Sequence, residues 1–142
     1  MEALAGAWLL EARPDQAPIR LSRPGAPDGW LVVGGRGAGK TRLGAEWVNA
    51  LVGGESPFIG PDTGRNLRYG AIALVGETLA DVREVMIDGP SGIRSVARGM
   101  RPRFEASRRR LVWDTTGAVA QMFSAEDPES LRGPQFDAAW LD

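Results

Sequence analysis

Residues 31–44 read LVVGGRGAGKTRLG, and the way this stretch is read decides the fold. It contains Lys40, the one lysine among 17 basic residues, the other 16 being arginine. Ahead of the loop, residues 30–35 (WLVVGG) form a short apolar run ending in glycine, which reads as a buried parallel strand. Behind it, KTRLGAEWVNALVGG places Leu43, Trp47, Val48 and Leu51 on one helical face, and Gly53-Gly54 stop the helix. Between strand and helix, Gly34-Gly35-Arg36-Gly37-Ala38-Gly39-Lys40-Thr41 satisfies G-x-x-x-x-G-K-[ST].

Each position in that pattern has a chemical reason. Glycines let the main chain curl until successive N–H groups point inward and form an anion nest. The helix that follows adds the positive end of its dipole. Lys40 brings a compact ammonium for the β and γ phosphates of a nucleotide, and Thr41 a hydroxyl for Mg²⁺. A guanidinium is wider and rigid, so arginine does not substitute there, which accounts for a single lysine in a chain otherwise written with arginine. The stretch therefore predicts ATP and Mg²⁺ as ligands.

Outward from the loop, AIALVGE (residues 71–77) reads as a second buried strand. Thr78 caps LADVREVMI, with Leu79, Val82, Val85 and Met86 as its apolar face, and DGPSG ends it. RFEAS, RRRLVWD and AVAQMFSA read as strands, with Thr115 to Gly117 as the turn between the last two. EDPESLRGP is a loop or one helical turn, and FDAAWLD is a final apolar run ending in an acid. Upstream, residues 2–10 carry Leu4, Trp8 and Leu9 at helical spacing, followed by a Pro- and Gly-rich lead-in; residues 56–70 read as a loop. Strands alternating with helices predict an α/β fold: a mostly parallel sheet flanked by helices, with a β-hairpin insertion.

Composition narrows the chemistry. With 142 residues the chain is one domain or part of one. It has no cysteine and no histidine, which excludes disulfides, thiolate nucleophiles, zinc clusters and Ser-His-Asp triads. Carboxylates, arginine, lysine, hydroxyls, backbone amides or a hard metal ion must do the work. A net charge of −1 gives no global pull toward nucleic acid or anionic membrane, so such binding must come from local patches. The N-terminus lacks the basic region of a secretory signal, and no apolar run is long enough to span a bilayer.

A nucleotide loop of this kind needs a carboxylate at the end of another strand to complete the magnesium shell. Glu77 ends AIALVGE and Asp142 ends FDAAWLD; Asp114 and Asp137 stand less aptly, at a hairpin turn and a strand entrance. Asp142 is favoured, because the run before it is apolar and it comes last in chain order. The alternative is that it is merely the last residue.

Taken together, WLVVGGRGAGKTRLGAEWV, GETLADVREVMIDGPSGI and FSAEDPESLRGPQFDAAWLD resemble the ATPase part of the large terminase subunit, the DNA-packaging motor of tailed phages and gene transfer agents. The resemblance implies a P-loop NTPase domain of the additional-strand class over residues 30–142, preceded by an N-terminal helix and lead-in over residues 1–29. It implies that Gly34 to Thr41 is the Walker A loop and AAWLD the Walker B strand, with Asp142 on the metal. In that family a glutamate follows the acid and positions the attacking water, and a further sheet strand and a nuclease domain come later. The chain is therefore expected to be an incomplete domain, truncated at the Walker B strand, that hydrolyses little ATP by itself. The implied partners are double-stranded DNA, a portal, a small terminase subunit and further copies in a homo-oligomeric ring. The implied location is the host cytoplasm and, transiently, the procapsid portal.

Three further residues draw roles from the same likeness. Arg36 holds the place of an arginine inside the loop that senses the γ phosphate or reaches across a subunit boundary, with a solvated loop cation as the alternative. Arg132 in LRG is a candidate for charge stabilisation or else a structural ion pair. Gln16 resembles a glutamine that reads adenine with both edges of its amide. RPRFEASRRR (residues 101–110) holds five arginines and one glutamate; it reads either as a phosphate contact or as a solvated, guarded edge. The five tryptophans, Trp8, Trp30, Trp47, Trp113 and Trp140, lie mostly within apolar runs and read as core or interface rather than base-stacking platforms. Two rival functions share these residues: a helicase-like or recombination ATPase, and a non-catalytic assembly module with a relic loop.

Overall fold

The computed structural model describes residue 29, residues 31–54 and residues 69–142. The expected N-terminal helix, Gln16, Trp30 and most of the loop at 56–70 lie outside the described residues. Helix α1 runs Lys40–Gly53. It begins after Gly39, whose left-handed backbone (φ 87°) turns the loop into the helix, and ends at Gly54 (φ 74°), whose N–H donates to the carbonyls of Ala50 and Leu51. Its buried face carries Leu43, Val48 and Leu51, as the spacing predicts, together with Val52; Trp47, expected on the same face, is half-buried against the core.

Among the described residues five strands follow: β1 Ala71–Gly76, β2 Arg103–Glu105, β3 Arg110–Trp113, β4 Ala118–Ser124 and β5 Ala138–Leu141. They form one sheet in the order β2-β3-β4-β1-β5. Strand β1 lies between β4 and β5 and is parallel to both, while β2–β3 and β3–β4 are antiparallel. The sheet is thus mixed, half parallel and half antiparallel rather than mostly parallel, because the hairpin strands extend the same sheet instead of standing apart from it. Its parallel part puts the carboxyl ends of β1 and β5 side by side, with Val75 opposite Leu141.

Between β1 and β2 the chain forms a short α2 (Leu79–Asp81), a π-helical stretch (Val82–Ile87) and α3 (Ile93–Val96). Thr78 and Asp81 close a reciprocal capping box, so the expected cap is present. The π-helical winding, bonded i to i+5, alters the expected apolar face. Val82, Met86 and Ile87 turn inward while Val85 is left 43% exposed.

One face of the sheet presents Ile72, Leu74, Leu111, Trp113, Ala118, Ala120, Met122 and Trp140 to α1, the π-helical stretch and α3, forming the main core. The opposite face carries a smaller cluster, Ala73, Val75 and Phe123 beneath Leu131 and Phe136 of the β4–β5 connection. Phe136 meets Phe123 edge-on, with ring centroids 5.3 Å apart.

The run before the loop departs from expectation. Residues 31–35 are not in the sheet, and Leu31 and Val33 are 91% and 85% exposed. None of the five strands pairs with this segment. An apolar run becomes a buried strand only where a neighbouring backbone lies alongside to share its ladder, and among the described residues none does.

Candidate functional site

The glycine-rich loop, the first turn of α1 and the residue after β5 meet at one end of the sheet. Gly37 (φ 77°) and Gly39 (φ 87°) hold left-handed conformations that strain any other residue, so the loop turns as its composition predicts. Ala38 N–H closes the turn onto Gly35 O at 3.2 Å. Lys40 folds back over the loop, its Nζ donating to Gly34 O at 2.7 Å and Gly35 O at 2.8 Å. An ammonium has three N–H donors, so these two bonds leave one for an anion. Gly39, the N-cap of α1, carries no side chain to cap the helix, and no acid lies in the first turn to oppose the dipole.

The four acids weighed from the sequence now separate. Thr41 Oγ1 donates to Asp142 Oδ2 at 3.1 Å, a contact between residues 101 positions apart. Asp137 Oδ2 accepts from Gly70 N and Ala71 N at 2.8 and 2.9 Å, which ties the start of β5 to the start of β1. Asp114 accepts from Arg103 Nε at 3.0 Å on both oxygens. Glu77 is exposed at the end of β1, and its carboxylate makes no hydrogen bond among the described residues. Its backbone carbonyl accepts from Ser124 Oγ at 2.8 Å. The hydroxyl beside the lone lysine therefore faces Asp142 and not Glu77.

Packing fixes this contact. In α1, Gly44 follows Thr41 by nearly one turn; in β5, Trp140 precedes Asp142 by one strand repeat. The Trp140 indole lies so close over Gly44 that a Cβ there would stand 2.0 Å from Cε2. Helix and strand thus meet through a glycine–tryptophan contact directly beneath the threonine–aspartate contact.

The other candidates lie apart from this centre. Arg36 is exposed and makes no ion pair among the described residues. Arg132 is 81% exposed and bonds locally to Glu129 at 3.1 Å, beyond the 3₁₀ turn Pro128–Leu131. Among the described residues no group of three or more His, Cys, Asp or Glu could hold a metal ion, and no helix is long and apolar enough to cross a membrane.

Sequence reading missed one charged cluster. Glu46, on α1, is 2% exposed. Its Oε1 accepts from Arg42 Nε and its Oε2 from Arg98 NH1, both at 2.8 Å. Asn49 Nδ2 donates to Ile93 O at 3.1 Å, a polar tie between α1 and the start of α3. The available signal was an acid set among Leu43, Trp47 and Val48, on the face that periodicity assigns to the core.

Fold and site together define a mixed-sheet α/β protein whose glycine-rich loop and helix start face a carboxylate at the carboxyl end of a parallel strand. Residues 31–142 match the family described as terminase large subunit, T4likevirus-type, N-terminal, and the chain belongs to that family. The family points to a DNA-packaging motor, and its large subunits are in general packaging ATPases. Neither the curated proteins nor the solved structures give a match.

Proposed function

We propose that Gly34 to Thr41 is the Walker A loop of a P-loop NTPase and that the chain is the ATP-binding part of a packaging motor. In this reading the motor hydrolyses ATP to drive double-stranded DNA into a procapsid. The observation that carries it is the Thr41–Asp142 contact at 3.1 Å, beside an ammonium folded over the loop at 2.7 and 2.8 Å. Two hard oxygen donors side by side suit Mg²⁺, which takes few protein ligands and keeps several waters.

The residues divide the work as follows. The curled backbone from Gly34 to Gly39 and the start of α1 receive the triphosphate. Lys40 gives up its carbonyl contacts for the β and γ phosphate oxygens, a short movement of a flexible stem. Thr41 and Asp142 hold Mg²⁺, which when bound supplies charge neutralisation at the same phosphates. Arg36, exposed on the loop and without an ion pair among the described residues, adds positive charge where the γ phosphate lies or across a subunit boundary. Arg132 serves only if it leaves Glu129, and Gln16 reads the adenine. In the assembled motor, water attacks the γ phosphorus in line as the bond to the ADP oxygen breaks, one of its protons staying on the released phosphate and the other passing to solvent; these residues hold the phosphates and offset the negative charge, and by themselves hydrolyse little. Duplex DNA, a portal, a small terminase subunit and ring neighbours are the partners this reading assigns, in the host cytoplasm and at the procapsid portal.

Titration with a fluorescent ATP analogue and Mg²⁺ tests the site. Lys40→Ala should weaken binding by about tenfold or more, the loss of one charge-assisted contact. Asp142→Asn should bind nucleotide with most of its magnesium dependence gone. Unchanged binding in Lys40→Ala would favour a relic loop in an assembly module.

A further inference from the structure

The arginine run at residues 101–110 is resolved by the structure into two groups. Arg103 and Arg110 are spent internally. Arg103 Nε bonds Asp114 at 3.0 Å and its NH1 lies 3.4 Å from Glu105, while Arg110 NH2 lies 2.9 Å from Glu105. Arg103, Glu105 and Arg110 share one face of the β2–β3 ladder, where Arg103 opposes Val112 and Glu105 opposes Arg110. Both acids of the hairpin are consumed in these pairs. Arg101, Arg108 and Arg109 are exposed and make no ion pair among the described residues. Residues 101–114 thus carry five arginines against one Glu and one Asp, a net charge of +3 in a chain whose total is −1.

Placement makes the group usable. Strand β2 is the edge of the sheet opposite β5, four strand steps or about 19 Å from the nucleotide loop's end of the sheet. Arg101 precedes β2, and Arg108 and Arg109 sit in the turn that follows it. The three cations therefore bracket an edge roughly 15 Å long, enough to run beside about four phosphates of one DNA strand. The hairpin is anchored as well. Arg83 stacks over the Phe104 ring at 4.8 Å, Pro102 is fully buried, and Arg94 Nε donates to Pro102 O at 3.1 Å.

Edge protection explains part of this pattern only. A guarding charge belongs on the strand, where Arg103 stands. Arg108 and Arg109 lie in the turn and cover no open ladder. Arg109 moreover has a left-handed backbone (φ 50°, ψ 52°), the one non-glycine residue with positive φ among the described residues. Glycine is the unstrained residue at such a turn position, so an arginine there is held against its local preference.

We propose that the β2–β3 hairpin is a duplex-DNA contact surface, with Arg101, Arg108 and Arg109 binding backbone phosphates without regard to base sequence. The proposal rests on the packaging-motor reading for the choice of DNA as the polyanion. Its test uses the full chain and a short fluorescein-labelled duplex, with anisotropy followed over a range of salt concentrations. Replacing Arg101, Arg108 and Arg109 together by Gln should weaken binding equally for unrelated sequences. It should also flatten the slope of log affinity against log salt by about 2 to 3. Replacing the three by Lys should keep that slope. Arg109→Gly should raise the melting temperature and weaken DNA binding, a split that a structural role would not give.

The same proteins titrated with a fluorescent ATP analogue read the nucleotide site separately. If the Gln variant keeps the parent slope while the parent binds duplex, the hairpin assignment is wrong and DNA binding lies elsewhere on the chain. If the parent binds nucleotide but no duplex, both the hairpin assignment and the DNA part of the functional reading fail. An Arg109→Gly variant that melts lower also overturns the proposal.

Discussion

Gly44→Ala sets two known effects against each other. Alanine is better than glycine inside a helix by about 1 kcal/mol, and α1 is long enough to feel that gain. Against it stands the Trp140 ring. The added Cβ would lie 2.0, 2.3 and 2.4 Å from three indole atoms, whereas ordinary contact begins at 3.4 Å. Ring or helix must yield by roughly 1.4 Å, and Trp140, at 8% exposure, is packed against the core on its other side. Forced displacement of this kind costs about 1–3 kcal/mol, so a net loss of up to about 2 kcal/mol is expected after the helix gain is offset. The consequence for the site is larger than for stability, because moving β5 away from α1 stretches the 3.1 Å Thr41–Asp142 contact. Urea unfolding gives the stability change, and a magnesium-dependent nucleotide titration reads the site. Trp140→Leu provides the internal control: with the ring gone, Gly44→Ala should become stabilising by about 0.5–1 kcal/mol, so the two substitutions couple strongly. A Gly44→Ala protein more stable than its parent, with nucleotide affinity intact, would refute the reasoning.

Glu46→Ala removes the buried carboxylate that Arg42 and Arg98 share. Because both guanidinium groups are about a third exposed and can turn to water, the loss should fall below the range for a fully buried pair, at about 2 kcal/mol by urea unfolding. Glu46→Met, which keeps the volume, should recover part of it. The Glu105 carboxyl is held below its ordinary value of 4.5, first by the hydrogen bond from Arg110 and then by the field of Arg110, Arg103 and Arg108. A depressed folded pKa means stability that is present above 4.5 and lost as pH falls through the folded value, so Glu105→Gln should melt slightly lower than its parent at neutrality, show a flatter acid limb, and converge with the parent at low pH. Equal acid slopes in the two proteins would count against that pairing.

The local elements were legible because their signals lie within a few residues of one another. Left-handed turns demand glycine, and Gly37, Gly39 and Gly54 stand where the loop and the helix end need them. A helical face repeats every three or four residues, which exposed α1 at once. Alternation and turn residues gave β3 and β4, and Thr78 with Asp81 gave the cap of α2. Residues 31–35 show the limit of that method: an apolar run is written identically whether or not another backbone lies beside it. Val85 shows a second limit, since one residue of extra winding moves a side chain from core to solvent.

By itself, then, the sequence determined the glycine loop with its single lysine, the helix behind it and the acid-ending apolar run, since each is a preference of a short segment of chain. Tertiary structure decided what those segments do to one another. It set Asp142, and not Glu77, Asp114 or Asp137, against Thr41, seated Trp140 on Gly44, buried Glu46 between two arginines, and left three of the five hairpin arginines exposed with no ion pair among the described residues. Such choices depend on strand register and on the approach of a helix to a sheet across 101 residues of separation. Packing of the whole core fixes these distances, and no short window of sequence contains them.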